Sequence, residues 1–146
     1  MKARILTSII AIVFSVTLLN AGNPKSTMYT NTELTESGVV KECTFVENKT
    51  LRPIQKIVYK YDVLGNIKER TYYKWEDHSA WVNVHKYTYE YNEYNQVANL
   101  IHTKWDASKK GWSDRSDYII NKYNSDGEFL TVEQILLENN DLAQLK

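Results

Sequence analysis

The chain of 146 residues has one cysteine, Cys43, and no surplus of charge, with 18 basic and 18 acidic residues. A lone cysteine cannot form an internal disulfide, so we expect either a buried small apolar residue or a loose end. Balanced charge gives no support for nucleic-acid binding, which needs a clearly basic face. The sequence also lacks a glycine-rich phosphate loop, a nucleophile elbow and a Ser-His-Asp arrangement. These absences leave no catalytic motif to build on.

The one long apolar run lies at the N-terminus. Lys2 and Arg4 precede an almost unbroken apolar run over residues 5–19, and the small residue Ala21 follows it. This order predicts a cleaved signal peptide over residues 1–21. The run is shorter than the roughly 20 residues that span a bilayer, which favours cleavage over a membrane anchor. We therefore expect an exported protein, periplasmic or extracellular, with no stable membrane span.

Cleavage would leave a single domain of residues 22–146, long enough for a modest core. Removing Lys2 and Arg4 from the total leaves 16 basic against 18 acidic residues, a net charge near −2. Residues 137–146 are predicted to be a frayed tail. Low-complexity segments and linkers between domains are absent, which agrees with one domain.

A short motif recurs along this domain. The stretch "VYKYDVLGN" is followed 30 residues later by "TYEYNEYNQ" and 32 residues after that by "INKYNSDGE". A fixed period of this size predicts three repeats of one supersecondary unit, with a degenerate half-repeat in front. Each copy has Asp or Asn at one position and Gly or Asn three residues later: Asp62 and Gly65, Asn92 and Asn95, Asn124 and Gly127.

This spacing is typical of a tight hairpin turn. A type I turn favours Asp or Asn at its first position, where the short side chain bonds the backbone ahead. A following residue at positive φ, Gly or Asn, closes a three-residue hairpin with a bulge. We therefore assign these six residues a structural role. The predicted register gives three apolar cross-strand pairs: Tyr61 with Ile67, Tyr91 with Val97, and Tyr123 with Phe129.

Between the turns, apolar and polar residues alternate with the period of a strand. The sequence therefore predicts an all-β fold, an antiparallel meander of about seven strands. A preceding stretch, "STMYTNTELTESG", either adds an edge strand or stays loose. One extra residue in the third unit predicts a β-bulge between Ser113 and Tyr118. The predicted strands span residues 39–46, 51–62, 66–75, 81–92, 96–105, 112–124 and 128–137.

Simple alternation further predicts two unlike faces, as is common in antiparallel sheets. One face is expected to be charged, with Lys56, Arg70, Lys86 and Lys104 among its members. The other would be aromatic, and sheet curvature, the N-terminal segment or a partner would have to cover it. Its predicted members are Ile57, Tyr59, Tyr61, Tyr73, Trp75, Trp81, Tyr87, Tyr89, Tyr91, Ile101 and Trp105.

The string "YKYDVLGN" resembles the tyrosine-aspartate (YD, or Rhs-type) repeat, although Val58 stands where that repeat has arginine. Over residues 22–137 the chain is also similar to small secreted proteins of Bacteroidota that are described only as a domain of unknown function. Those proteins share the signal peptide, the Tyr-rich hairpins and the paired tryptophans. The resemblance implies an exported β protein and supplies no activity.

Tryptophans are the most distinctive candidates for a ligand site. They recur at one edge of the predicted sheet, where they stack on sugar rings or anchor a protein partner, or else cap the sheet. Phe45, Leu51 and Leu137 occupy equivalent positions in the repeat, which favours packing. The candidate ligand-binding residues are Trp75, Trp81, Trp105 and Trp112.

Metal and catalytic interpretations have weaker support. His78, His85 and His102 lie at non-equivalent positions of the repeat, so they do not predict converging metal ligands. A glycoside hydrolase needs two carboxylates about 5–10 Å apart across a cleft. The available carboxylates lie in loops or among lysines and are interpreted as solvated charges: Glu69, Glu76, Asp77, Asp106 and Asp114. We expect no metal and no cofactor.

The sequence thus predicts an exported, non-catalytic interaction module whose ligand is an unknown protein or a glycan. One alternative is a structural or self-associating envelope protein, in which strand edges pair between copies. Another is a glycan-acting hydrolase that uses loop carboxylates such as Asp77 or Asp106.

Overall fold

The computed structural model describes residues 15–17, 25–76 and 80–138. These residues contain no helix and form one antiparallel sheet in which neighbours in the chain are neighbours in the sheet. The fold is therefore the predicted all-β meander. The strands are β1 (Ser15–Thr17), β2 (Ser26–Thr35), β3 (Gly38–Glu47), β4 (Pro53–Tyr61), β5 (Ile67–Glu76), β6 (Ala80–Tyr91), β7 (Val97–Asp106), β8 (Gly111–Tyr123) and β9 (Phe129–Leu137).

The seven predicted strands correspond to β3 through β9, and each observed end lies within two residues of its predicted position. The stretch that was left open forms β2, which pairs with β3 from end to end. The short β1 pairs with β2 and falls inside the predicted signal peptide, residues 1–21. The rest of that segment lies outside the described residues, so the signal peptide stays a prediction.

The described strands form a single open layer. Contacts between strands join sheet neighbours, from β1 with β2 through β8 with β9, and the sheet does not close on itself. Few side chains are buried as a result. Ile101, Tyr118 and Leu137 form a small cluster with the partly buried Ile135. Cys43 is also buried, with its thiol 3.9 Å from the Thr30 hydroxyl.

All three tight turns have the same backbone geometry. In the first, the Gly65 amide donates to the Asp62 carbonyl at 3.1 Å, and the Asp62 amide donates to the Asn66 carbonyl at 2.9 Å. The carboxylate of Asp62 accepts hydrogen bonds from the amides of Leu64 and Asn66, each at 2.9 Å. The closing residues have positive φ: 86° at Gly65, 59° at Asn95 and 79° at Gly127. The three expected cross-strand pairs are in register.

Neighbouring hairpins are also joined to one another. The side-chain amides of Asn66 and Asn95 bond each other reciprocally, at 2.8 and 3.1 Å. This pairing explains why an asparagine serves at position 95, because glycine would lose both bonds. The Tyr91 hydroxyl donates to the Ile67 carbonyl at 2.9 Å, which ties β6 to β5 at the same end. The turns therefore recur, while the repetition of whole 30-residue units stays a prediction.

β-Bulges change which residues share a face. In β6, His85 pairs with Tyr72 and Asn83 pairs with Tyr73, so Val84 is an extra residue. An extra residue inverts the alternation, so Trp81 and Tyr87 point to opposite faces although both numbers are odd. The irregularity predicted in β8 lies where it was expected, but it contains two extra residues where one was predicted, since Thr103 pairs with Ser116 and Trp105 with Trp112.

The expected division into an aromatic and a charged face is therefore wrong. Cross-strand partners lie on the same side of an antiparallel sheet, and the register gives two mixed faces. The tyrosine face carries Tyr59, Tyr61, Arg70, Tyr72, His85, Tyr87, Tyr89, Tyr91, His102 and Lys104. The tryptophan face carries Lys56, Tyr73, Trp75, Trp81, Lys86, Ile101, Trp105, Trp112 and Tyr118.

The predicted frayed tail, residues 137–146, overlaps the end of β9. Leu137 ends β9 and is only 3% exposed, because it packs in the small apolar cluster. Glu138 is described as well and pairs with Arg115, with 2.9 Å between Oε1 and Nη2. Residues 139–146 lie outside the described residues.

Replacing Gly65 by alanine tests the turn geometry. No atom lies within 4 Å of the added Cβ, so the cost comes from the positive φ alone. We expect G65A to lower the free energy of unfolding by about 1–2 kcal/mol, as measured by urea denaturation. Gly111→Ala is the control, since Gly111 lacks a positive φ and its nearest neighbour is 3.9 Å away. Equal losses in the two variants would contradict the assigned turn.

Asp62→Asn tests the charge at the first turn. Hydrogen bonds, the largest from the Asn66 amide, lower the pKa of the Asp62 carboxyl. Its stabilisation is then present above the ordinary aspartate pKa of ~3.9 and is lost as the pH falls through the folded value. We expect the turn to form in D62N at pH 7, because Asn92 and Asn124 hold the same position in the other two turns. Between pH 5 and pH 2, the melting temperature of D62N should fall less than that of the parent. A thermal melting series over that range measures it, and unchanged acid sensitivity would argue against the assignment.

Candidate functional site

The four tryptophans lie on four consecutive strands, at the end of the sheet away from the tight turns. Trp75 is opposite Trp81, with ring centroids 5.0 Å apart and an interplanar angle of 74°. Trp105 is opposite Trp112 at 5.2 Å and 84°. Both pairs are edge-to-face, a favourable geometry for aromatic rings. The sequence-predicted residues are thus brought together as two packed pairs.

Lysines cover part of these rings. The ammonium of Lys56 lies 4.9 Å from the ring centroid of Trp81 and 5.0 Å from that of Tyr73. Lys86 lies 4.7 Å from the ring of Trp112. All four tryptophans are half-buried. An ammonium over a ring competes with a sugar for the same surface, so this geometry favours packing, and a ligand-binding role for the tryptophans stays a prediction.

Over β5 to β8, the tryptophan face is also the side on which the sheet buries its side chains. On β5 to β8, every buried residue of the described sheet projects from this face: Thr71, Ile101, Thr103, Ser116 and Tyr118. The hydroxyls of Thr103 and Ser116 bond each other at 2.7 Å. Because its polar groups are paired and its apolar groups packed, this face has the character of a structural core.

The tyrosine face presents a different surface. On β4 to β7 it carries half-buried rings around Arg70, and none of its described residues there is fully buried. The guanidinium carbon of Arg70 lies 4.8 Å from the ring centroid of Tyr87 and 5.3 Å from that of Tyr72. Burial raises the pKa of Tyr59 and Tyr89, so these hydroxyls are protonated donors at neutral pH.

Two histidines extend this surface. His85 and His102 have ring centroids 5.2 Å apart, and His102 stacks on Tyr87 at 4.8 Å. Partial burial, followed by the charges of His102, Arg70 and Lys104, lowers the pKa of His85. The imidazole of His85 is therefore mainly neutral at pH 7. His102 Nδ1 lies 3.3 Å from the Asp117 carboxylate.

Sequence reasoning separated these residues, and the structure brings them together. Arg70 was assigned to a charged face, and His85 and His102 were treated as unrelated positions. The available signal was the unequal length of two neighbouring strands, since β5 has 10 residues and β6 has 12. Such a difference is compatible with a bulge in the longer strand, and a bulge moves Arg70 and Tyr87 to one face.

The structure describes only some of the candidate metal ligands and carboxylates. Among the described residues, no group of three His, Cys, Asp or Glu side chains converges on one point, and His78 and Asp77 lie outside them. Asp106 and Asp114 border a polar depression in which Lys109 pairs with Asp114. The Ser108 hydroxyl lowers the pKa of the Asp106 carboxyl. A carboxyl with a lowered pKa is a poor general acid near neutral pH.

The fold and surfaces define a small open-sheet β protein with an exposed aromatic face. The chain belongs to DUF3836, a family of unknown function, whose model matches residues 1–123. This confirms the expected kinship with a Bacteroidota family of unknown function. No curated protein matches the chain. In the described residues, no helix has the length and apolar character needed to cross a membrane.

Two crystal structures are similar to this chain. One is a DUF3836 family protein from Parabacteroides distasonis ATCC 8503, 17% identical, with 82% of this chain and 97% of that protein covered and a TM-score of 0.43. The other is a DUF3836 family protein from Bacteroides vulgatus ATCC 8482, 18% identical, with 74% and 97% covered and a TM-score of 0.42.

A double-mutant cycle tests the packing of the tryptophans. We expect Trp75→Leu and Trp81→Leu to show a coupling of roughly 0.5–1.5 kcal/mol in the free energy of unfolding, since each ring loses its edge-to-face partner. Trp75 with Trp112 is the control pair, because three strand spacings separate them and their effects should add within about 0.5 kcal/mol. Additive losses in the first cycle would rule out the packing role.

Proposed function

We propose that this chain is an exported, non-catalytic binding module and that its ligand contacts the tyrosine face. The observation that carries the proposal is the row of half-exposed aromatic rings on β4 to β7, with no described element packed over it. Exposed aromatic clusters of this kind commonly mark interaction sites. The ligand is an unknown protein or a glycan.

Export is supported by the N-terminal sequence. Lys2, Arg4 and the apolar run that follows have the order of a signal peptide, with Ala21 as the last residue removed. Cleavage there would remove β1 and leave β2 as an edge of the sheet. Eight long strands would remain, so the tyrosine face would keep all of its rings.

The non-catalytic part of the proposal is supported by the carboxylates. The lowered pKa of Asp106 and the ion pair between Lys109 and Asp114 suit solvated surface charges. Glu69 is likewise held by Lys60, 2.8 Å away. On the tyrosine face, the aromatic hydroxyls act as hydrogen-bond donors and the rings as stacking surfaces.

Affinity electrophoresis tests the proposal. The full chain is expressed in a bacterium that processes export signals, and the purified product is run through native gels containing dextran, xylan, polygalacturonate or its methyl ester. We expect an N-terminus at Gly22 and retardation by at least one polysaccharide. Tyr87→Ala should weaken the interaction about fivefold or more, since truncating a contact aromatic commonly costs more than ~1 kcal/mol.

Tyr73→Ala is the matched control, because Tyr73 is a half-buried tyrosine of the neighbouring strand that lies on the tryptophan face. It should leave the retardation unchanged. Equal effects of Y87A and Y73A would locate binding away from the tyrosine face. No retardation by any polysaccharide, together with no capture of a protein partner that depends on Tyr87, would contradict the binding role.

Self-association is the second candidate function, and β9 favours it. In the described sheet β9 has β8 as its one neighbour, so its outer backbone groups are unpaired. Its exposed apolar side chains lie mainly on the tyrosine face, with Leu130 as the extra residue of a bulge. Exposed apolar residues on an unpaired strand are typical of an edge that pairs with another strand. Those of β9 are Phe129, Leu130, Val132 and Leu136, each 52–61% exposed. A size that grows with protein concentration, and shrinks on Val132→Lys, would favour this function over ligand binding.

A further inference from the structure

A single row of side chains crosses the tyrosine face at right angles to the strands. The register sets Lys41 opposite Tyr59, Tyr59 opposite Arg70, and Arg70 opposite Tyr87. It continues from Tyr87 to His102 and from His102 to Asp117. Strands lie about 4.8 Å apart, so this transverse row is roughly 24 Å long. Its shape is that of a track for an extended chain.

Charges are distributed unequally between the two faces. Three lysines of the tryptophan face have carboxylate partners: Lys56 with Glu42 at 3.4 Å, Lys60 with Glu69 at 2.8 Å and Lys122 with Glu133 at 2.6 Å. On the tyrosine face, Lys74 at the end of β5 pairs with Glu76 at 2.9 Å. On the tyrosine face, no carboxylate among the described residues forms an ion pair with Lys41, Arg70 or Lys104. The open face therefore has a cationic centre in a chain of balanced charge.

Arg70 has a hydrogen-bond donor that no described residue satisfies. Its Nε atom is buried and has no hydrogen-bond partner among the described residues. A buried donor of a charged group that is left unpaired destabilises the protein. Negative charge beside the guanidinium offsets that penalty. The planar guanidinium matches a carboxylate in shape, and it lies against the neighbouring rings of Tyr72 and Tyr87.

We infer that the transverse row binds an extended polysaccharide that carries carboxylate groups. Arg70 pairs with a carboxylate, the ring edges and hydroxyls of Tyr59 and Tyr87 contact the flanking sugars, and Lys41 and Lys104 contribute long-range attraction. The inference rests on the proposed function and adds the chemical class of the ligand. Nucleic acid fits less well, since three cations on one face are few for a phosphate backbone.

Polygalacturonate and its fully methyl-esterified form make a matched pair of probes, because the two differ in charge and share the sugar backbone. We expect the full chain to bind polygalacturonate at least about tenfold more tightly, and the difference to shrink as NaCl rises from 50 mM to 500 mM. Arg70→Gln should weaken binding to polygalacturonate by about tenfold. The control Lys60→Gln removes the same charge from the other face and should leave the affinity within about twofold.

Lys104→Gln is a second test in case R70Q fails to fold. Lys104 is exposed, so replacing it is not expected to unfold the protein. K104Q should weaken binding by about two- to fivefold with an unchanged melting temperature. Equal losses in K60Q and R70Q would show attraction by net charge alone and overturn the inference. Equal affinity for both probes would overturn it too, while leaving a Tyr87-dependent binding module intact. If neither probe binds, the inference is overturned. The proposed function is then decided by the wider panel of polysaccharides and protein partners.

Discussion

Backbone pairing between sequence neighbours is the interaction on which this structure depends. A single layer of sheet cannot enclose a core, and only four apolar side chains of the described residues are buried. The ladder of strand hydrogen bonds therefore carries a larger share of the cohesion than in a packed sandwich. The tight turns reinforce it, because Asn66 with Asn95 and Tyr91 with Ile67 link successive hairpins at their tips. The sheet is therefore held together mainly by interactions between neighbouring strands, within its plane.

The two faces of the sheet differ in packing and exposure. The tryptophan face packs Ile101 and Tyr118, pairs its lysines with glutamates and covers tryptophan rings with ammonium groups. The tyrosine face leaves Arg70 and its neighbouring rings half exposed. An extra residue at Val84 produces this division, because it switches the side on which the following residues of β6 project. One insertion thus sets both the core and the candidate site.

Local chemistry explains how much could be predicted from the sequence. The turns at Asp62, Asn92 and Asn124 depend on side-chain and φ preferences within a few residues, so their geometry and the strand ends followed directly. The positions of bulges depend on pairing between strands, which one sequence does not display. The error over Arg70 and Tyr87 arose there. The tryptophans were located correctly along the chain, whereas the lysines above them became visible only in the cross-strand register.

The linear strand order has a consequence for how this protein acquires its structure. Each strand pairs with the one made just before it, so the contacts between strands join segments that are adjacent in chain order. Pairing adjacent strands loses less loop entropy than pairing strands far apart in the chain. A chain threaded through a membrane pore from its N-terminus can therefore add one strand at a time to a growing sheet. The same topology that leaves the faces open therefore suits the export that we propose, because strands that have emerged can pair before the last ones arrive.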